Sequence, residues 1–353
     1  MPAKKRFLEL DALRGFAALW VVLFHYTFGV GFFWLEEDFA AAARYTPAIP
    51  NLEGLRAVDL FFIISGFVIF MTIQNARALS DFVVSRLSRL FPAFLFAVTL
   101  AALLAVLVPM AAQPVTLKQY LVNLTMLEQF LGVPPLDTVY WSLTYELGFY
   151  FCIGVIFSLG ATGRIELIGV LWVLASFIAL KAVPAIGAHI PWRFQALTAL
   201  PYAALFFSGI LFYRVWSGGA TPMRIALLLF CYLEYVAFQS PRFAAIITAI
   251  YLLFALCVAG RMRFLAWKPF VVLGWMSYPL YLTHNAIGFR IQSLNLSLGL
   301  PPVANLIVTM LAALAVAAAV TFLIDRPAHA ALNRAWRAFK AQRAGVAAAE
   351  GPA

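Results

Sequence analysis

Apolar stretches of about twenty residues recur along most of this chain. A helix rises about 1.5 Å per residue, so each stretch is long enough to cross the roughly 30 Å hydrocarbon layer of a bilayer. Helices satisfy their own backbone hydrogen bonds, which lipid requires. Ten stretches are predicted spans: 8–31, 57–76, 90–111, 139–160, 165–183, 197–215, 223–239, 243–260, 271–292 and 303–325. The sequence therefore predicts an all-α, polytopic integral membrane helix bundle with about ten transmembrane helices.

Composition and charge exclude other classes of protein. Of the 353 residues, 64% are hydrophobic and 11% are charged, whereas an ordinary soluble domain has about 25% charged residues. The net charge is +10, but the basic residues lie between apolar stretches, so no nucleic-acid partner is predicted. The three cysteines lie inside apolar stretches without paired spacing: Cys152, Cys231 and Cys257. Neither a disulfide nor a metal site is predicted.

The placement of Lys and Arg predicts the orientation of the ten spans. Seventeen of the 25 Lys and Arg residues fall on the side of the N-terminus and seven on the other. Cytoplasmic connectors carry the excess of basic residues, so both termini are predicted to be cytoplasmic. The basic N-terminus lacks a small-residue cleavage site and is expected to remain attached as part of the first span.

Two segments outside the ten stretches have their own predictions. Residues 116–131 are apolar but short and interrupted by polar residues, which indicates a re-entrant or interfacial helix. An eleventh span is the alternative, and it would move the basic C-terminal tail outside. Residues 1–327 form the predicted transmembrane domain, and residues 328–353 a basic, then Ala/Gly-rich cytoplasmic tail that begins as an interfacial helix.

The ionisable residues of interest in the first span are Asp11, Arg14 and His25. A charged side chain at the centre of a membrane helix costs about 2.5–3.5 kcal/mol, so each one needs a partner, a cavity or a function. The eleven-residue spacing puts Arg14 and His25 on one helix face, roughly 16 Å apart along the axis. Asp11 is spaced to pair with Arg14. The alternative is that Arg14 extends to the interface and His25 bonds a neighbouring helix.

Polar residues also mark several later segments. These are VDLFFIISGFVI at 58–69, RLSRLFP at 86–92, VYWSLTYELGFY at 139–150, SYPLYLTH at 277–284 and IDRP at 324–327. Together with DALRGFAALWVVLFHY in the first span, and in this order, they resemble the motifs of the membrane acyltransferase 3 family. The resemblance covers nearly the whole chain. In IDRP, Asp325 stands where Glu is commoner in the family.

The resemblance implies an O-acyltransferase of the bacterial plasma (inner) membrane. The donor would be acetyl-CoA or another cytoplasmic acyl-CoA, and the acceptor a hydroxyl of a glycan or glycolipid at the outer face. It implies that Arg14, Arg86 and Arg89 hold donor phosphates, which suits the planar guanidinium. His25 would be a general base or an acyl carrier, assisted by Arg14 and by Glu146, which would orient His25 or the acceptor. The candidate acceptor-binding residues are Asp59, Trp141, Tyr145, Tyr281 and His284.

Other interpretations of the same residues stay open. Ser65 and Gly66 have the sizes typical of helix packing, and Trp141 and Tyr145 are also typical of a membrane interface. An acyltransferase acting on a cytoplasmic small molecule fits the same motifs. A lipid or glycan transporter would use buried Arg and His as well, but it should show paired broken helices, which the sequence lacks. No feature indicates an oligomeric state, and no role is predicted for His189 or His329.

Overall fold

The computed structural model describes residues 7–27, 54–109, 114–237 and 239–350. Four of the basic residues counted for the orientation lie outside these ranges: Lys4, Lys5, Arg6 and Arg44. The last four residues of the first predicted span, 28–31, and the last three residues of the tail also lie outside them.

The described residues form helices and turns, with no β-strand among them. The α-helices are α1 Leu8–Thr27, α2 Ala57–Ile73, α3 Leu79–Leu107, α4 Leu117–Asn123, α5 Trp141–Ser158, α6 Ile165–Phe177, α7 Trp192–Leu197, α8 Ala203–Gly218, α9 Pro222–Val236, α10 Pro241–Val258, α11 Lys268–Ser297, α12 Pro302–Ala319 and α13 Arg326–Glu350. The π-helical turns Ile178–Ala182 and Val320–Asp325 extend α6 and α12, and the turn Val183–Ala185 ends the first extension. Short 3₁₀ turns are Gly54–Arg56, Thr138–Tyr140, Ala161–Arg164, Leu200–Tyr202 and Arg263–Ala266.

Each of the ten predicted stretches overlaps one of these helices. Within the described residues, five helical segments are long and apolar enough to cross a membrane: Leu79–Leu107, Thr138–Ser158, Ala161–Ala185, Pro241–Val258 and Pro302–Arg343. The shorter helix Ala57–Ile73 is also apolar. The prediction of an all-α protein with membrane-spanning helices is confirmed, and the count of ten stays a prediction.

Two predicted boundaries are wrong. The third span was expected from residue 90, but α3 begins at Leu79. Arg and Leu are good helix formers, so the helix includes Arg86 and Arg89 two to three turns from its start. In the segment 116–131 only Leu117–Asn123 is α-helical. Beyond it the Asn123 side chain accepts a hydrogen bond from the Leu136 amide at 2.8 Å, which stabilises a returning loop.

The closest helix pair in the bundle is α1 and α11, which run parallel. A Cβ added to Gly15 would lie 2.8 Å from the backbone nitrogen of Gly274, and one on Gly274 would collide with the Asp11 carbonyl. Only glycine permits this approach of the two backbones. A second close crossing joins α2 and α8, where a Cβ on Gly66 would collide with the Phe206 carbonyl. The packing role considered for Gly66 is therefore observed.

Ion pairs connect helices on the face predicted to be cytoplasmic. Glu166 on α6 accepts hydrogen bonds from Arg214 on α8 at 3.2 Å and from Arg224 on α9 at 3.0 Å. Asp81 on α3 accepts from Lys340 on α13 at 2.8 Å. The helix expected in the tail is therefore present and packs against α3.

Candidate active site

A cavity of about 270 Å³ opens among α1, α2, α3, α5, α11 and α13. Three arginines and one carboxylate line it: Arg14, Arg86, Arg89 and Glu146. The structure thus brings together the predicted donor-binding residues from two separate motifs and Glu146 from a third. With three guanidinium groups facing one carboxylate, the cavity favours an anionic ligand.

Each arginine is positioned by a different neighbour. Arg89 donates to Asp325 at 2.8 Å, and its guanidinium lies 5.5 Å from the centre of the Tyr278 ring. Arg86 donates to the neighbouring Ser85 hydroxyl at 3.0 Å, and its Nε is buried without a partner among the described residues. Arg14 lies within electrostatic range of Asp11, as the sequence spacing predicted. Arginine donors are therefore available to a ligand that enters the cavity.

Glu146 belongs to the arginine-lined cavity. Its Oε1 accepts hydrogen bonds from Ser65 at 3.0 Å and from Tyr150 at 2.6 Å. The sequence predicts that Glu146 orients His25 or the acceptor. The observed hydrogen bonds join it to the arginine side of the cavity, and an orienting role stays a prediction. Ser65, considered as a packing residue, instead holds this carboxylate.

His25 lies beside another histidine. The His25 Nδ1 and His284 Nε2 atoms are 2.9 Å apart, and both rings are buried. His284 Nδ1 lies 2.8 Å from the Tyr281 carbonyl and 3.1 Å from the Leu280 carbonyl. Carbonyl oxygens only accept, so His284 Nδ1 carries the proton and its Nε2 is the acceptor. His25 must then donate from Nδ1, which leaves the lone pair of its neutral ring on Nε2.

Tyr281 joins the histidine pair to the cavity. Its ring lines the cavity, and its centre lies 6.0 Å from that of His284. The Tyr281 hydroxyl is 2.8 Å from the Ser142 hydroxyl and donates to the Val139 carbonyl at 3.0 Å. The arrangement therefore puts a basic nitrogen and an anion-binding cavity on two sides of one tyrosine.

The motif order and this geometry agree with the comparison against protein families. Residues 7–326 match the acyltransferase domain. The chain belongs to the acyltransferase 3 family. No curated protein and no solved structure matched it. The family match confirms the resemblance seen in the motifs, and it makes the protein a membrane acyltransferase that uses an acyl donor and an acceptor.

Of the five predicted acceptor residues only Tyr281 lines the cavity; His284 lies beside His25, and Asp59, Trp141 and Tyr145 also lie outside the lining. Trp141 and Tyr145 pack around Tyr202, with ring centres 5.8 and 4.9 Å from it. Trp141 also contacts Phe62, which does line the cavity. Asp59 accepts from Tyr235 at 2.9 Å and lies 3.9 Å from Arg56. These residues lie behind the lining, and their role in binding stays a prediction.

Two residues without a predicted role contribute to the arginine-lined cavity. His329 lines the cavity, and its Nδ1 lies 3.0 Å from the Ser88 carbonyl. It lies on α13. Asp325, a doubtful match to the family motif, pairs with Arg89. Their spacing could have indicated both residues. Asp325 and His329 are four residues apart in IDRPAH, which puts them on one face of a helix.

Proposed function

We propose that the protein transfers an acyl group, most simply acetyl, from cytoplasmic acyl-CoA to a hydroxyl of a glycan or glycolipid at the outer face. The observation that carries the proposal is the hydrogen bond between His25 and His284, which leaves a lone pair on His25 Nε2. A base is what an alcohol needs before it can attack a thioester. Tyr281 connects this base to the anion-binding cavity.

The donor end of the proposal rests on charge and size. Arg14, Arg86 and Arg89 suit the phosphates of coenzyme A, because a guanidinium donates two parallel hydrogen bonds to a phosphate. The cavity of about 270 Å³ is small beside typical ligand pockets of roughly 300–1,000 Å³. It can therefore enclose only part of such a donor.

The sidedness follows from the predicted topology. We place the protein in a bacterial plasma membrane. Ten spans with cytoplasmic termini put the first turns of α3 at the cytoplasmic face, where acyl-CoA is made. The excess of Lys and Arg on that side supports this orientation. Donor and acceptor would then approach the histidine pair from opposite faces of the bilayer.

The proposed reaction balances with the described residues alone. His25 Nε2 removes the acceptor hydroxyl proton while the oxygen attacks the thioester carbonyl carbon. The tetrahedral intermediate collapses, the C–S bond breaks, and the coenzyme A sulfur leaves with the proton from His25. The Ser142 hydroxyl lines the cavity and can rotate from the Tyr281 oxygen to donate to the oxyanion, whereas the Tyr281 hydroxyl hydrogen is held by the Val139 carbonyl. His284 holds His25 in the reactive tautomer, and no acyl-histidine is required.

The experiment compares His25→Ala with the wild-type protein in the same detergent. Radiolabelled acetyl-CoA is offered with a panel of cell-envelope polysaccharides, and transfer, acetyl-CoA binding and thermal unfolding are measured together. Loss of the base should lower transfer by about 10² to 10⁴ and leave acetyl-CoA binding intact. His189→Ala is the matched control, because His189 is exposed. A folded His25→Ala variant that transfers acetyl at a near-normal rate would exclude the mechanism.

A further inference from the structure

A second cavity lies at the opposite end of α3 and α11 from Arg86 and Arg89. It has a volume of about 800 Å³ and opens between the end of α3, the residues from 114 to 138, and the C-terminal half of α11. Its polar lining residues are Gln119, Asp137, Thr138, Asn285 and Arg290. It shares no lining residue with the arginine-lined cavity. A ligand could therefore occupy each cavity at the same time.

Asp137 and Asn285 form a buried polar pair in this outer cavity. The Asn285 amide donates to Asp137 Oδ1 at 3.1 Å, and the same oxygen accepts from the Val139 amide at 3.1 Å. Asp137 is 7% exposed and Asn285 is 3% exposed. The Asn285 Oδ1 atom has no partner among the described residues, although leaving a buried acceptor unpaired costs about 1–3 kcal/mol. This atom needs a donor that the described residues do not supply.

The polar pair adjoins the histidine pair. Asn285 directly follows His284 and lies one helical turn beyond Tyr281, on the same face of α11. The carboxylate of Asp137 lies within electrostatic range of Tyr26 and Tyr281. Tyr26 in turn donates to the His284 carbonyl at 2.7 Å. A ligand on Asn285 would therefore lie next to the groups that hold His25.

The chemistry of the lining indicates what the ligand carries. A carboxylate and an amide oxygen accept from hydroxyls. Arg290 donates to the Leu104, Val108 and Ala286 carbonyls through Nε and Nη1, and among the described residues its Nη2 hydrogens remain for a ligand. Phe289 and the prolines of the loop supply apolar contact. Adjacent hydroxyls above an apolar face are the arrangement found on a sugar ring.

We infer that this outer cavity binds a sugar ring of the acceptor through Asp137 and Asn285, so that a ring hydroxyl can reach the histidine pair. That the bound sugar is the acyl acceptor rests on the proposed function. Sugar binding itself can be measured without any acyl donor.

The test is protection of an introduced thiol in the purified full-length protein. Thr138 is exposed and lines the cavity, so Thr138→Cys is made in a Cys152→Ala background. The rate of maleimide labelling is measured with methyl glycosides of glucose, galactose and N-acetylglucosamine, and with glycerol at equal hydroxyl concentration. A bound glycoside at twice its Kd should slow labelling about threefold, because only the unoccupied fraction reacts. Thr125→Cys is the control, being exposed on the same segment outside the cavity lining.

Variants of the polar pair decide the inference. Asn285→Ala and Asp137→Asn should each abolish the protection of the thiol at position 138. Asn305→Ala should keep it, because Asn305 is a buried asparagine bonded to Asn295, away from the cavity. Thermal unfolding identifies any variant that fails to fold. If Asn285→Ala does not fold, Asp137→Asn decides the test, because it retains an oxygen for the Val139 amide. The inference fails if no glycoside protects position 138, or if protection persists in the folded variants. It also fails if glycerol protects position 138 as well as the glycosides do, or if the glycosides protect position 125 equally. Acetyl transfer without protection would overturn this inference and leave the proposed function standing.

Discussion

The neutral form of a histidine ring has two tautomers, and the neighbours of His25 select one of them. The selection begins with two backbone carbonyls that fix the proton of His284 and passes through the 2.9 Å contact between the two rings. Backbone carbonyls cannot titrate or rotate away, so the selected tautomer is held rigidly. His284 is therefore a positioning residue in this mechanism, whereas His25 touches the reacting atoms.

His284→Phe should lower the maximal rate of transfer by about 10² because the ring remains but the acceptor for His25 Nδ1 is lost. The acetyl-CoA affinity should not change. His284→Gln restores an oxygen near the position of Nε2 and should recover much of the rate. Transfer kinetics and donor binding on the three proteins check this. Equal rates in the Phe and Gln variants would show that His284 only fills space.

Arg86→Ala and Arg89→Ala should each weaken acetyl-CoA binding by about 10- to 100-fold, since a charge-assisted hydrogen bond contributes about 1.5–3 kcal/mol. Lys at either position should restore binding only in part, because it lacks the planar fork. Calorimetry in detergent gives the affinities. Arg214→Ala is the control, because Arg214 pairs with Glu166 and lies outside the cavity lining. An equal loss in this control would point to net charge instead of a phosphate site.

At this scale much of the lining of the arginine-lined cavity could be predicted from the sequence. Arg14 and Glu146 stand out because ionisable residues are rare in apolar helices, and Arg86 and Arg89 follow from the family motif. All four line one cavity, and their role in donor binding stays a prediction. The contact between His25 and His284 could not be predicted. It depends on how two helices distant in sequence are rotated against each other, which no local pattern records.

At the scale of helices, the register of α1 against α11 determines the histidine contact. Gly15 meets Gly274, and His25 meets His284, ten residues further along both helices. In two parallel helices the same offset of roughly 15 Å separates both contacts. The glycine contact therefore sets the position of the histidine contact.

Gly274→Ala tests this dependence. The added Cβ would collide with the Asp11 carbonyl, so α1 must move and the protein should lose about 1–3 kcal/mol of stability. The rate of transfer should also fall, by more than the loss of folded protein explains, because the His25 and His284 rings move apart. Gly154→Ala is the control, since its Cβ would meet only the Leu79 side chain at 3.5 Å. Thermal unfolding and transfer are compared for both. A fully active Gly274→Ala protein would show that the register tolerates a shift.

Helix ends were the least predictable feature of the elements. The hydropathy pattern located the apolar middle of α3 but not its start, because Arg86 and Arg89 interrupt the apolar run without interrupting the helix. The π-helical turn Val320–Asp325 gave no signal either. It joins α12 to α13 and carries Asp325, the partner of Arg89. Charged residues that serve a buried cavity resemble connector residues in a hydropathy pattern.

At the scale of the whole molecule, the orientation can be tested with two thiols in a Cys152→Ala background. A membrane-impermeant maleimide should label Thr125→Cys in intact cells, and should label Ser217→Cys only after the membrane is opened. Both positions are exposed, which makes their reactivity comparable. Labelling of position 217 from outside would favour the eleven-span alternative, which reverses every segment after residue 131.

His25 and His284 are 259 positions apart along the chain, and this separation has a consequence for how the enzyme is made. Chains are synthesised from the N-terminus, so α1 enters the bilayer long before the ribosome reaches α11. Asp325, which holds Arg89, is synthesised later still. An unfinished chain therefore has neither the oriented base nor the complete anion site. In the proposed mechanism such a chain would hydrolyse no acyl-CoA during biogenesis, and transfer would begin only when the last helices have packed against the first.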